Sequence, residues 1–563
     1  MPPRTSILLT TAVVAVAFVA LGAGWLRGHA KGMVAPATVP SPAAPTNVTL
    51  LDLPMPASTS AEALAAFSEG LRFQRNGSWG KAHEAFERAI AADPSLAAAH
   101  MRSAMTGAGF LGTVTQVHAS LQQAQMRNER LGERDRAFLD ALEPTLQRTP
   151  PDPTASLARL RALVARWPND AELELWLGYQ EENEPSAAVP AFTRATEIDP
   201  QYTDAWEARA RSLAWLGRMD ESRAAFETCV QIPTALDCLW WLRHLDAASG
   251  DCVSGERDAR RRIERDPLGK TGYHDLADAL LSLGRTEEAR ASLDQSLRLW
   301  EEADRPRQSL ADDAAVAITR GDFERAAVLG RSALALVETD AEASHHLEPT
   351  RTLVRIALET GDERTAGRYA DEFVQRAGAW SARDGRYDGQ HVPWLAHVAR
   401  RHGTLSAASY EAMRDAWMRW WSQPLHAEPG YAWVVGRAET ADTDEEARAA
   451  LSDPARTWPP FFLTLVDEEL PVGRVLALAG RADEAEQHLL RAAKHCTRIF
   501  DPFAHPQAEL ALGRVRESRG DAAAACEAYE AVVSAWGDAR PRSLSADRAR
   551  ERMRALGCAT RAK

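Results

Sequence analysis

Two groups of residues have types and spacings that invite chemistry. His345, His346 and Glu348 could ligate a divalent metal, and His391, His397 and His402 stand among tryptophans that could stack on a sugar. Neither group meets what its chemistry needs. Adjacent histidines leave a helix toward different faces, so His345 and His346 do not converge on one ion. The second group has no evident pair of carboxylates to serve as acid and base at a glycosidic bond. The chain has no Walker phosphate loop, Gly-x-Ser-x-Gly elbow, His-Glu-x-x-His helix or paired-cysteine zinc spacing. It therefore reads as a non-enzyme, with no catalytic residue, metal or cofactor expected.

What positions these side chains is a repeat. The stretch from Gln201 to Trp300 can be laid on itself with a shift of about 34 residues. Counting from the first helical residue of a unit, Trp206, Ala210, Leu213, Gly217 and Phe226 fall at positions 4, 8, 11, 15 and 24. Leu239, Leu242, Gly250, Ala259 and Pro267 fall at 4, 7, 15, 24 and 32, and Tyr273, Leu276, Ala277, Leu280, Gly284, Ala289 and Leu293 repeat the register. Two apolar helical faces, broken at one Gly and closed by Asp-Pro, define a helix–turn–helix unit that buries its faces against its neighbours. The pattern resembles the tetratricopeptide repeat, which implies an all-α, right-handed solenoid.

The same register opens at Ala61, with Gly70, Gly77, Ala82, Phe86 and Pro94, and lapses after Gly109. It resumes through Leu157, Trp176, Gly178 and Phe192 and weakens around Gly321 and Gly361. It returns with Gly473, Gly480 and Leu489, then Gly513, Gly520 and Tyr529, before a polar capping helix from Ser543 to Leu556. The charged run Arg127–Arg136 reads as a solvated helix face. The organisation expected is a short tail (1–6), an apolar segment (7–26), a Pro/Ala-rich linker (27–60) and a repeat array (61–376). A tryptophan-rich stretch of degenerate repeats or an insertion (377–468) and C-terminal repeats with their cap (469–563) complete it.

Residues 7–26 carry no charge and are long enough to cross a bilayer core as a helix. Small residues suited to signal cleavage occur only at Gly28 and Ala30, well past the apolar core. The expectation is a single-pass membrane protein anchored through 7–26, with its repeats periplasmic or otherwise outside the cytoplasm. With 45% apolar and 26% charged residues the chain is foldable, and its net charge of −13 argues against a nucleic-acid partner.

In a solenoid of this kind the first helix of each unit lines the concave face. Leu175, Trp176 and Tyr179 are assigned there, followed by Glu207, Arg211 and Trp215, then Trp240, Trp241 and His244, then His274, Asp275 and Asp278. Aromatic side chains with a few charges suit a protein or peptide ligand. Six cysteines permit three disulfides. Helix ends would bring Cys526 to Cys558 and Cys229 to Cys238, while Cys252 and Cys496 have no obvious mates; buried free thiols are the alternative.

The C-terminal run Cys526-Glu527-Ala528-Tyr529, Trp536-Gly537, Arg540-Pro541-Arg542-Ser543 and Leu556-Gly557-Cys558 is similar to the C-terminal repeat region of myxobacterial eukaryotic-like serine/threonine protein kinases. So are Leu131-Gly132-Glu133-Arg134-Asp135-Arg136, and Cys238-Leu239-Trp240 with Gly250-Asp251-Cys252. No catalytic His-Arg-Asp or Asp-Phe-Gly triplet occurs. The resemblance implies the sensory or docking half of such a protein without phosphotransfer, that is, a membrane-anchored scaffold in a signalling or envelope complex. A cytoplasmic adaptor for a kinase or cyclase, or a glycan-acting or glycan-binding protein using the tryptophan-rich segment, are the alternatives.

Overall fold

Each unit folds as it does because small and large residues alternate across its two helices. Gly70 lies against Phe86, where an added Cβ would come within 2.5 Å of the ring, and Gly513 lies the same way against Tyr529. Between the two helices the chain reverses at a glycine in the left-handed region, such as Gly217 (φ 73°) and Gly284 (φ 76°). The computed structural model describes residues 47–108, 114–148, 151–337, 343–384, 392–422, 430–453 and 466–558.

The helices run as antiparallel pairs. The first group is α1 (Ala61–Arg75), α2 (Trp79–Ala92), α3 (Ala97–Gly107), α4 (Val114–Met126), α5 (Glu133–Leu146), α6 (Pro153–Arg166), α7 (Ala171–Glu181), α8 (Pro185–Ile198), α9 (Thr203–Trp215) and α10 (Met219–Val230). A second follows as α11 (Leu236–Ala248), α12 (Cys252–Arg265), α13 (Lys270–Ser282), α14 (Thr286–Arg298), α15 (Arg305–Thr319), α16 (Phe323–Leu336), α17 (Ala343–Thr360) and α18 (Glu363–Asp384). The remainder is α19 (Val392–His402), α20 (Ala407–Trp421), α21 (Tyr431–Trp433) with a π-turn, α22 (Asp444–Ser452), α23 (Val466–Leu478), α24 (Ala482–Lys494), α25 (Ala504–Ser518), α26 (Ala522–Trp536) and α27 (Leu544–Leu556). The described residues from Asn47 to Cys558 form one compact unit.

The solenoid closes on itself twice. In the first group α1 reaches α9: Arg75 Nε donates to Asp199 at 2.7 Å, Gln74 to Glu172 at 3.2 Å and Trp79 Nε1 to Asp204 at 3.2 Å. In the second, the C-terminal helices return to α11–α17. Trp536 Nε1 donates to the Ile318 carbonyl at 2.9 Å, the backbones of Gly321 and Arg540 pair at 2.8 Å, and Glu359 accepts from Ser543 and Ser545. Three disulfides are present: Cys229–Cys238, Cys526–Cys558 and, across 244 residues, Cys252–Cys496.

Several expectations need correction. The described residues form an all-α tetratricopeptide-type solenoid, and among them no helix is long and apolar enough to cross a membrane, so the fold class is corrected to the solenoid alone. The single-pass membrane location expected from 7–26 therefore has no support from any described helix, and that stretch itself lies outside the described residues. The end of the expected linker is held in place, since Val48 pairs with Asn169 and Ala171 in backbone hydrogen bonds of 2.8 and 3.1 Å, and Leu50 is buried. The run Arg127–Arg136 is no solvated face throughout. Arg134 turns inward onto Asp170 at 2.9 Å and Glu172 at 2.8 Å, because Glu172 is buried and needs cations beside it. Within 377–468 the described helices continue the packing, with one core running from Leu347 to Val435. Trp417, Trp421 and Trp433 belong to the interior, Trp394 and Trp420 are half-buried, and the side chains of Trp380 and Trp458 lie outside the described residues.

Candidate binding face

The first helix of each unit points its inner positions toward the space enclosed by the two closures. In the first closure this space is a polar core. Arg102 and Glu172 form an ion pair at 1% and 0% side-chain exposure, with Arg134 on the same carboxylate. Glu172 stays below its ordinary carboxylate range: burial opposes this, and Arg102 and Arg134 outweigh it.

At the rim of this closure, α7, α9 and α11 form a notch. Leu175, Trp176, Tyr179 and Trp215 are buried, whereas Glu207, Arg211, Trp240 and Trp241 remain partly exposed. Arg211 lies 3.1 Å from Glu182 and 3.5 Å from Glu207, and its guanidinium sits over the rings of Trp215 and Trp241 at 5.3 and 5.0 Å. Trp240 and Trp241 meet edge to face at 4.8 Å, with His244 3.8 Å from Trp240. Burial pushes Glu207 up to about 8 against the pull of Arg211, and Asp204 up to about 6 against its contacts with Trp79 and Tyr179. Burial, then Arg243, holds His244 well below the usual imidazole range, so it is neutral.

The other half of the inner face is occupied by the chain itself. Between α24 and α25 the connection is nine residues (495–503), against four (93–96) between α2 and α3. This strap crosses α11, α13 and α17. Cys496 N donates to the Ala247 carbonyl at 3.1 Å and Ile499 N to Asp278 at 2.8 Å, while Asp278 also takes Arg243 at 2.6 Å. Phe500 lies 5.2 Å from His274, and Asp501 accepts from Arg355 at 2.8 Å. Of the concave residues expected from sequence, His274, Asp275 and Asp278 thus face the strap region, and Asp275 and Asp278 are buried. His274 Nε2 donates to Asp312 at 3.2 Å, and that contact outweighs burial and raises the imidazole above its usual range. Asp275 has Arg243 at 3.9 Å, and burial pushes its carboxyl up.

The position rule named Trp240 and Trp241, which stay partly exposed, but neither Arg243 nor the strap. Arg243 occupies a position read as packing, and the strap's one sequence signal was its length together with the unmatched Cys252 and Cys496. Among the described residues, neither histidine group is gathered into a metal site. His346 meets Arg376 at 3.4 Å, His397 meets Asp442 at 2.8 Å and His402 meets Glu363 at 3.4 Å, while His391 lies outside the described residues. Among the described residues no cluster of three or more His, Cys, Asp or Glu side chains could hold a metal.

The architecture defines a class. Family models described as tetratricopeptide repeat match residues 67–107, 179–233 and 271–299, so the chain carries tetratricopeptide repeats. Solved structures titled "Crystal structure of MamA" and "Crystal structure of MamA protein" are similar to part of it, at 17% and 15% identity. They cover 27% and 29% of this chain and 91% and 92% of their own, with TM-scores of 0.25 and 0.26, too low to support an argument. No curated protein matches the chain.

Proposed function

We propose that this protein is a scaffold that grips an extended segment of a partner protein at the notch between α9 and α11. The observation that carries this reading is Trp240 beside Trp241 on inner positions, both partly exposed and with Arg211 over the second ring, while Trp176 and Trp215 are buried. Adjacent aromatics with a neighbouring Arg supply large contact area at low cost in side-chain entropy, the usual composition of a binding hot spot. The likeness to kinase-associated repeats favours a signalling assembly as the setting. The array supplies position rather than reaction chemistry.

Panning a displayed random-peptide library against the full-length protein tests this. Selected peptides, titrated by calorimetry, are expected to lose about 30-fold in affinity on combined Trp240→Ala and Trp241→Ala, the equivalent of a hot spot worth about 2 kcal/mol. Peptides that bind the double variant as tightly as the parent protein would sink the proposal.

A further inference from the structure

A second feature lies away from the notch and does not depend on it. Between α16, α17 and α18 is a cavity of about 240 Å³. Its origin is legible in the repeat register. Nine residues after the turn glycine, most units carry a large residue (Phe86, Phe226, Leu293, Leu489 or Tyr529) and two carry Ala259 or Ala370, whereas the unit with Gly321 has Gly330, the smallest. Leu353 of α17 moves in against Gly330, with a Cβ there meeting it at 3.1 Å, and the space one turn further along the helices stays unfilled.

The lining of that space divides by chemistry. Leu334, Ala335, Tyr369 and Phe373 make apolar walls, with the last two buried. Arg331 and Arg376 stand at the exposed rim. Neither has a carboxylate partner among the described residues, in a chain whose arginines elsewhere are mostly ion-paired, as in Arg218–Glu221, Arg285–Glu288 and Arg481–Glu484. The one acidic residue at the cavity, Glu372, is held by Arg368 at 2.9 Å. At the floor the buried His346 orients Arg376, whose Nη1 lies 3.4 Å from its Nδ1.

We propose that this cavity binds a small organic anion, a carboxylate or phosphate on an apolar body. Arg331 and Arg376 engage the acidic group, and Tyr369 and Phe373 pack on the body. Guanidinium groups match both anions through paired N–H donors. The volume falls below the roughly 300–1,000 Å³ of drug-sized pockets, which limits the ligand to about ten non-hydrogen atoms. The apolar walls select against bare inorganic ions, because those would leave the walls wet.

Titrating the full-length protein with benzoate and with phenyl phosphate, using benzamide and benzylamine as neutral and cationic controls, tests the assignment. Saturation-transfer NMR and calorimetry are expected to give a Kd on the order of 1 mM or tighter for at least one anion. The controls should bind at least about 10-fold more weakly, and Arg331→Gln with Arg376→Gln should weaken the anion by about 10-fold or more. The tighter anion identifies the acidic group. Both arginines are on the surface, so the variants should retain the parent circular dichroism spectrum. Ala335→Phe, which fills the space without touching charge, should abolish binding. Equal binding of benzamide, an unchanged affinity in the double-arginine variant, or no anion bound at about 10 mM would each overturn the assignment.

Discussion

The two closures of this solenoid solve one problem by different means. In the first, α1 is drawn onto α9 by polar side chains on the inner helices, with Arg102, Glu172 and Arg134 at the centre. In the second, a nine-residue strap is laid along the inner helices and bonded to α12 through Cys252–Cys496. A closure built on buried charges depends on every partner being present, since an uncompensated buried ion is costly. A closure built on a strap depends on the chain being held near its site. One should therefore respond to charge and the other to reduction, although both halves share the same repeat.

Removing a charge at the centre of the first closure should have the largest effect. Arg102→Met leaves Glu172 buried with Arg134 as its remaining close cation, and a loss of about 3–5 kcal/mol is expected. Hydrogen exchange should show the loss in α1, α7 and α9 and leave α25–α27 protected. Equal loss of protection in both halves would mean that the closures are one cooperative unit and the comparison fails.

Cutting the covalent link of the second closure comes next. Cys252→Ser with Cys496→Ser should cost about 2–4 kcal/mol. Exchange should rise first in 495–503 and α25, and proteolysis should cut the strap. Asp278→Asn sharpens the result from the other side. The Asn oxygen can still accept from the backbone at Ile499, but the charge opposite Arg243 is gone, so about 1–3 kcal/mol should be lost with the disulfide intact. If both variants leave the strap protected, the apolar contacts of Ile499 and Phe503 hold it unaided.

The difference between the halves also explains what the sequence could reveal. The helix pairs were legible because Gly217, Gly284 and their equivalents mark each turn, and a residue such as Phe86 requires a small partner such as Gly70. These are local constraints within a unit. Closure is set by residues far apart: Trp79 with Asp204, Asp278 with Ile499, Cys252 with Cys496. No period links such pairs, so inner positions such as Trp215 and Asp278 read as an open groove, although the structure buries both. Trp240 and Trp241 were assigned to the inner face because they lie at the inner positions of a well-phased unit, and both are partly exposed.

A further expected effect is a pH dependence carried in the first half by Glu207. Glu207 faces Arg211 on its own helix, Asp204 one turn before it, and Asp237 and Trp241 from α11; Arg211 also pairs with Glu182 just past α7, and burial raises the Glu207 carboxyl to about 8. The folded state therefore holds a proton that the unfolded chain releases near its ordinary value of about 4.3. Stability from this group is complete below that value and falls as pH rises toward about 8, because across this window the folded state binds more protons. Glu207→Gln keeps the shape and removes the titration. The variant should match the parent protein near pH 4 and exceed it near pH 8, where each pH unit of displaced pKa is worth about 1.4 kcal/mol. Thermal melts from pH 4 to pH 9 measure the difference, and the same series on the cysteine double variant should show the same dependence. If the Glu207→Gln melts parallel the parent's across the whole range, then Arg211 keeps the carboxylate ionised despite its burial. The notch would then present a fixed ion pair to a partner rather than a carboxyl that must lose its proton on binding a cation.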